Sequence, residues 1–114
     1  MIIYRWFPEV ENIQNDEVRL KVIQIRRLSR DRKWKDACNI LKEAKVEKVE
    51  PLLPIYNATI HACTGSREMG VARKLFEEMR AQEIAPDVLT FSDMISGYLS
   101  QQNVRIFRLS EISH

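Results

Sequence analysis

The chain repeats itself at an interval of 35 residues, and that periodicity restricts its fold more than any single motif does. Residues 37–57, ACNILKEAKVEKVEPLLPIYN, lie over residues 72–92, ARKLFEEMRAQEIAPDVLTFS, without a gap. Ala37 meets Ala72, Pro51 meets Pro86, Glu43 meets Glu78 and Val49 meets Ile84. Ile40, Leu41 and Ala44 meet Leu75, Phe76 and Met79, and Tyr56 meets Phe91 beyond the proline. Ile25, Ile60 and Ile95 keep one phase through three successive copies, as do Leu28, Cys63 and Tyr98. In a chain that is 45% hydrophobic, apolar matches arise by chance, whereas two prolines in phase with two alanines do not. A recurring unit of this length is a supersecondary block that buries its apolar face only by stacking on its neighbours.

Each unit reads as two helices. The second has apolar residues at i, i+3, i+4 and i+7 (Ala72, Leu75, Phe76, Met79), one stripe on a 3.6-residue period. Between the two helices the sequence predicts a turn in which Gly65 takes the left-handed conformation and Ser66 caps the next helix, with Asp31 in the place of Ser66 one unit earlier. At the seam between units, a helix is expected to end near Gln82, Pro86 to block it, and a new helix to start near Thr90 with Thr90 and Asp93 as a capping box.

The 114 residues amount to one small domain with no low-complexity linker. The longest uncharged run, 16 residues between Glu50 and Arg67, is broken by two prolines and His61 and is too short to span a bilayer, so no membrane role is expected. The N-terminal MIIYRWFPEVENIQND carries acidic residues and does not look like a transit peptide, so either targeting is absent or the true start lies upstream. Cys38 and Cys63 show no CxxC spacing and read as small core residues of a reducing compartment. His61 and Cys63, two apart on a helix, point to different sides and make a poor metal site. No phosphate loop, HExxH or GxSxG is present. The expectation is a non-enzyme with no catalytic residues, metal or cofactor.

The unit from Leu53 to Asp87, with its tyrosine-asparagine opening at Tyr56-Asn57, central alanine, Phe-x-x-Met segment and terminal Pro86-Asp87, resembles the pentatricopeptide repeats. The tetratricopeptide repeat, with its 34-residue period, fits less well. The resemblance implies an all-α, right-handed α-solenoid of antiparallel helix-turn-helix repeats. It divides the chain into an N-terminal segment 1–17 with a capping role, a divergent repeat 18–52, a best-matching repeat 53–87 and an incomplete third, 88–114. In the third, Phe107 stands where Ala37 and Ala72 stand, and a ring there would force repacking.

Such repeats bind single-stranded RNA at about one base per unit, in mitochondria or plastids. Carried over residue by residue, the resemblance makes Asn57 and Asp87 the base-reading pair of the second unit, a pair that favours uracil in this family, with Pro54 and Leu89 sandwiching the base. Ser92 is a reader in the third unit. In the first, Val22 and Leu52 hold the reading positions and cannot hydrogen-bond a base, while Arg19 and Lys21 replace the sandwiching aliphatic and the aromatic. Both Asn57 and Asp87 are then expected to face a groove, free of duties to the backbone.

Net charge is only +2, but residues 21–35 hold seven basic residues against one acidic, a patch suited to a phosphate backbone. Arg30, late in a first helix where the family places a phosphate-contacting lysine, and Arg26 one turn earlier are the chosen phosphate contacts. The alternative function is an interaction scaffold, binding protein partners or a second copy through exposed repeat ends. Stacking one base contributes about 1–3 kcal/mol, and association costs on the order of 4–15 kcal/mol. The chain is therefore expected to be a fragment of a longer array, a short gene product or an oligomer.

Overall fold

The computed structural model describes Val10 and residues 13–112, with side chains as far as Gln101. Among them are five helices and no strand: α1 (Asp16–Arg30), α2 (Trp34–Val46), α3 (Leu53–Gly65), α4 (Met69–Ala81) and α5 (Val88–Ile112). The N-terminal segment beyond Val10 and 13–17 lies outside the described residues, as does the side chain of Phe107.

Helices α1 and α2 form one hairpin and α3 and α4 the next. The first helices pack side by side in the order α1, α3, α5, and each second helix also leans on the following first helix, α2 on α3 and α4 on α5. This is a helical-hairpin solenoid, as the repeat implied. Helix α3 has a neighbour on nearly every side, so Ile55 through Ile60, Ala62 and Cys63 are all buried. Helices α2 and α4 bury a single stripe (Ala37, Leu41, Ala44; Met69, Ala72, Met79) and leave the opposite side in water. Ala37 and Ala72 are both fully buried, which explains why the two copies keep a residue without bulk there.

The turns follow the 35-residue interval but not through the residues expected. Arg32 (φ 58°) and Arg67 (φ 62°) occupy the left-handed region after the first helices, and Lys48 (φ 57°) and Glu83 (φ 62°) after the second ones. Each is followed by an amide that reaches back five residues: Lys33 to Leu28, Glu68 to Cys63, Val49 to Ala44 and Ile84 to Met79, at 2.8–3.0 Å. That six-to-one bond is the Schellman closure, built here without glycine. Gly65 lies inside α3, two residues short of the left-handed position, and Ser66 and Asp31 end their helices instead of starting the next. The starts of α2 and α4, at Lys33 and Glu68, carry no side-chain cap.

The capping box of the third copy also lies three residues earlier than expected. Asp87 Oδ1 accepts from the Thr90 amide and Thr90 Oγ1 accepts from the Asp87 amide, both at 3.1 Å, so Asp87 is the cap and Thr90 its reciprocal partner. Asp93 instead accepts from Nδ1 of His61 at 2.9 Å. Asn15 caps α1, its Oδ1 taking the amides of Glu17 and Val18, while its Nδ2 donates to the carbonyl of Glu50. Where the first two copies turn, α5 continues unbroken to Ile112, so the third copy has no hairpin of the kind seen in the others. No helix among the described residues is long and apolar enough to cross a membrane.

Candidate nucleic-acid interface

The layer of first helices carries a slot of about 200 Å³, lined by Ile13, Val22, Arg26, Leu53, Pro54, Asn57, Asp87 and Leu89. Five of the seven residues singled out by the family resemblance, Asn57, Asp87, Pro54, Leu89 and Arg26, thus meet around one space. A space of this size has room for one flat ring. Its position follows from chain geometry. Asn57 lies in the second turn of α3, and the seam after α4 brings Asp87 back beside it at the start of α5.

Asn57 is only 4% exposed, and its amide is oriented from two sides. Its Nδ2 donates to Asp87 Oδ1 at 3.0 Å, and its Oδ1 accepts from the hydroxyl of Thr90. Reversing the amide would set oxygen against carboxylate oxygen, so Asp87 fixes its polarity. An amide has two N–H donors and an oxygen with two acceptor sites. Asn57 therefore keeps one donor and one acceptor for a ligand. The bonds that the Asp87 carboxylate accepts from Asn57 and Thr90 all fall on Oδ1, so Oδ2 remains able to accept.

This network revises one expectation. Asp87 is not free of backbone duty, because it satisfies the first-turn amide of Thr90. Replacing Asn57 also removes a donor from Asp87 and an acceptor from the buried Thr90 hydroxyl, which falls back on Asp87, so it costs stability as well as any reading function. Thr90 was missed as a member of the site. Its signal was present in the sequence as the Asp-x-x-Thr spacing of a cap, read three residues too late.

The remaining candidates separate. Arg26 and Arg30 share a face of α1, but Arg26 is 6% exposed and lines the slot, whereas Arg30 is exposed at the helix end. Ser92 is exposed on α5, outside the slot. In the first copy, Val22 is buried, and Arg19 is held by the carbonyl of Ile13 and by Asp16. Lys21 there pairs with Glu43 and Glu47, where Tyr56 in the second copy is fully buried. His61 and Cys63 point to different sides as expected, His61 to Asp93 and Cys63 to Cys38. No cluster of metal-ligating side chains occurs among the described residues.

Two family models match the chain. A pentatricopeptide repeat domain model covers residues 10–67, about half of the chain, and a PPR repeat family model covers residues 54–100. A pentatricopeptide repeat-containing protein of Arabidopsis thaliana is 35% identical over 69 residues, 60% of this chain. The matched stretch spans 12% of that relative's length.

Proposed function

The chain belongs to the pentatricopeptide repeat family, and from that premise we propose that it binds single-stranded RNA along the first-helix layer, its second repeat selecting uracil. Binding RNA in organelle RNA processing is the general business of the family. The observation that carries the finer reading is the oriented Asn57 amide in a slot walled by Pro54 and Leu89. A base enters between the two apolar walls, and its Watson–Crick edge meets Asn57. The spare N–H of Asn57 donates to a uracil carbonyl, and the uracil N3–H donates to Asp87 Oδ2, directly or through water. Cytosine presents a bare ring nitrogen in place of that N–H, which would face carboxylate oxygen with no proton between them.

Arg30, exposed at the end of α1, contacts phosphates in this reading, and Arg26 serves a nucleotide seated in the slot itself. Ser92 would read the next base, with fewer partners to hold it. The first repeat, with Val22 and Leu52 at its reading positions, adds backbone contacts without base choice. The work belongs to a mitochondrion or plastid.

One repeat cannot be read in isolation, so the test extends the chain with well-behaved repeats and varies the base opposite the unit at 53–87. Uridine should be preferred, and Asn57→Val should erase the preference, by about 1–3 kcal/mol. Arg30→Ala should weaken all four RNAs alike and flatten the salt dependence. Equal affinity for the four bases in the unmutated array would remove the reading role from Asn57 and Asp87 and leave the protein-binding scaffold as the better account.

A further inference from the structure

Between the second helices α2 and α4 lies a larger cavity of about 560 Å³. Lys35, Lys42, Lys45 and Lys74 line it against a single carboxylate, Glu78, which Lys45 engages. Cys38 is also in its wall, partly exposed, and its sulfur lies 3.9 Å from that of Cys63, which is fully buried on α3. The two cysteines sit at unmatched places of the repeat, so nothing in the 35-residue pattern requires them to meet. The Cys63 thiol donating to the Cys38 sulfur, with Lys42 nearby, holds the Cys38 thiol below the ordinary range, while Cys63, bonded to Cys38 and buried, is pushed up.

We propose that Cys38 is a thiol–disulfide exchange site for anionic small-molecule disulfides of the oxidised-glutathione class, with Cys63 as the resolving thiol. The Cys38 thiolate attacks one sulfur of the reagent. The reagent's S–S bond breaks, a new one forms at Cys38, and one reagent thiolate leaves. Cys63 then gives up its proton and attacks the Cys38 sulfur, releasing the second reagent thiolate. Two protein thiols lose two electrons and the reagent disulfide gains them. The two sulfurs must close from 3.9 Å to about 2.05 Å. The product staples α2 to α3 and so fixes the first hairpin on the second. The lysines select the reagent, because the carboxylates of an anionic disulfide are drawn to the cavity and a neutral disulfide is not.

The test treats the full chain with oxidised glutathione or with the neutral bis(2-hydroxyethyl) disulfide and follows its mass with time. The wild-type chain should pass through a glutathione adduct mapped to Cys38 and end two hydrogens lighter than the dithiol. Cys63→Ala should stop at the adduct, and folded Cys38→Ser should stay unmodified. The Lys42→Gln and Lys74→Gln pair should slow the anionic reagent on the order of 10-fold relative to the neutral one. If Cys63→Ala folds poorly, Cys63→Ser and the wild-type adduct at short times report the same step. An adduct equally abundant in Cys38→Ser, or a wild-type chain that never loses the adduct, would overturn the assignment. Equal slowing of both reagents would overturn the role of the cavity.

Discussion

The first and second repeats share a frame and differ in what they present on it. Their left-handed residues lie at 32 and 67 and again at 48 and 83, and their buried alanines at 37 and 72. Yet the groove positions diverge in kind: Val22 against Asn57, Leu52 against Asp87 and Ile55 against Thr90. Beneath the groove, Lys21 reaches Glu43 and Glu47, while Tyr56 fills the matching site as a buried ring. The turns and the alanine contact are set by backbone geometry that both hairpins must satisfy. The groove positions are filled in two ways: Val22 packs into the core in one copy, while in the other Asn57, Asp87 and Thr90 bond to one another and Asp87 also caps α5. The same frame thus accepts an apolar set at these positions in one repeat and a hydrogen-bonded polar set in the next.

The comparison can be broken most directly at the Lys21 and Tyr56 pair. Tyr56→Ala should cost about 3–5 kcal/mol, since a fully buried ring leaves a cavity between helices. Lys21→Ala should cost less, about 1 kcal/mol, because its partners Glu43 and Glu47 are about half exposed and the ion pairs are weakened by solvent. Urea unfolding of the full chain measures both. Equal losses would show that the two positions are not equivalents with different jobs.

The shared frame is sharpened by glycine at the four left-handed positions. A left-handed residue with a Cβ carries roughly 1–2 kcal/mol of strain, against which glycine costs about 0.5–1 kcal/mol in the unfolded chain. Arg32→Gly, Arg67→Gly, Lys48→Gly and Glu83→Gly should each raise the melting temperature by a few degrees, and by similar amounts. A drop at one member of a matched pair would separate the two turns.

The smallest effect belongs to the contact between repeats. Lys45 of α2 donates to Glu78 of α4, and that bond raises the Lys45 ammonium above its usual range, burial opposing it. A lysine raised in the folded state adds stability that is whole below its unfolded value of 10.5 and is lost as pH climbs through the higher folded value. Lys45→Met should cost less than about 1 kcal/mol at neutral pH. The difference from wild type should shrink only in strongly alkaline buffer, as thermal melts across pH would show. A difference that vanished near neutrality would mean that the side chain contributes through packing alone.

The 35-residue interval was legible in the sequence, and with it the hairpins and their order, because periodic apolar stripes and punctuating prolines are local features that stacking can satisfy in one way; the pairing of Asn57 with Asp87 was implied only by the family resemblance. The residues that execute each turn were not legible. Glycine and serine are the usual turn formers, but the six-to-one bonds fixed by helix packing place Arg32, Arg67, Lys48 and Glu83 in the left-handed region despite their side chains. The reach of α5 past the expected third turn, the burial of Arg26 beside the slot, and the 3.9 Å approach of Cys38 to Cys63 likewise depend on how one hairpin settles on the next. Each joins residues with no fixed relation along the chain, and only the packed tertiary structure sets the distance between them.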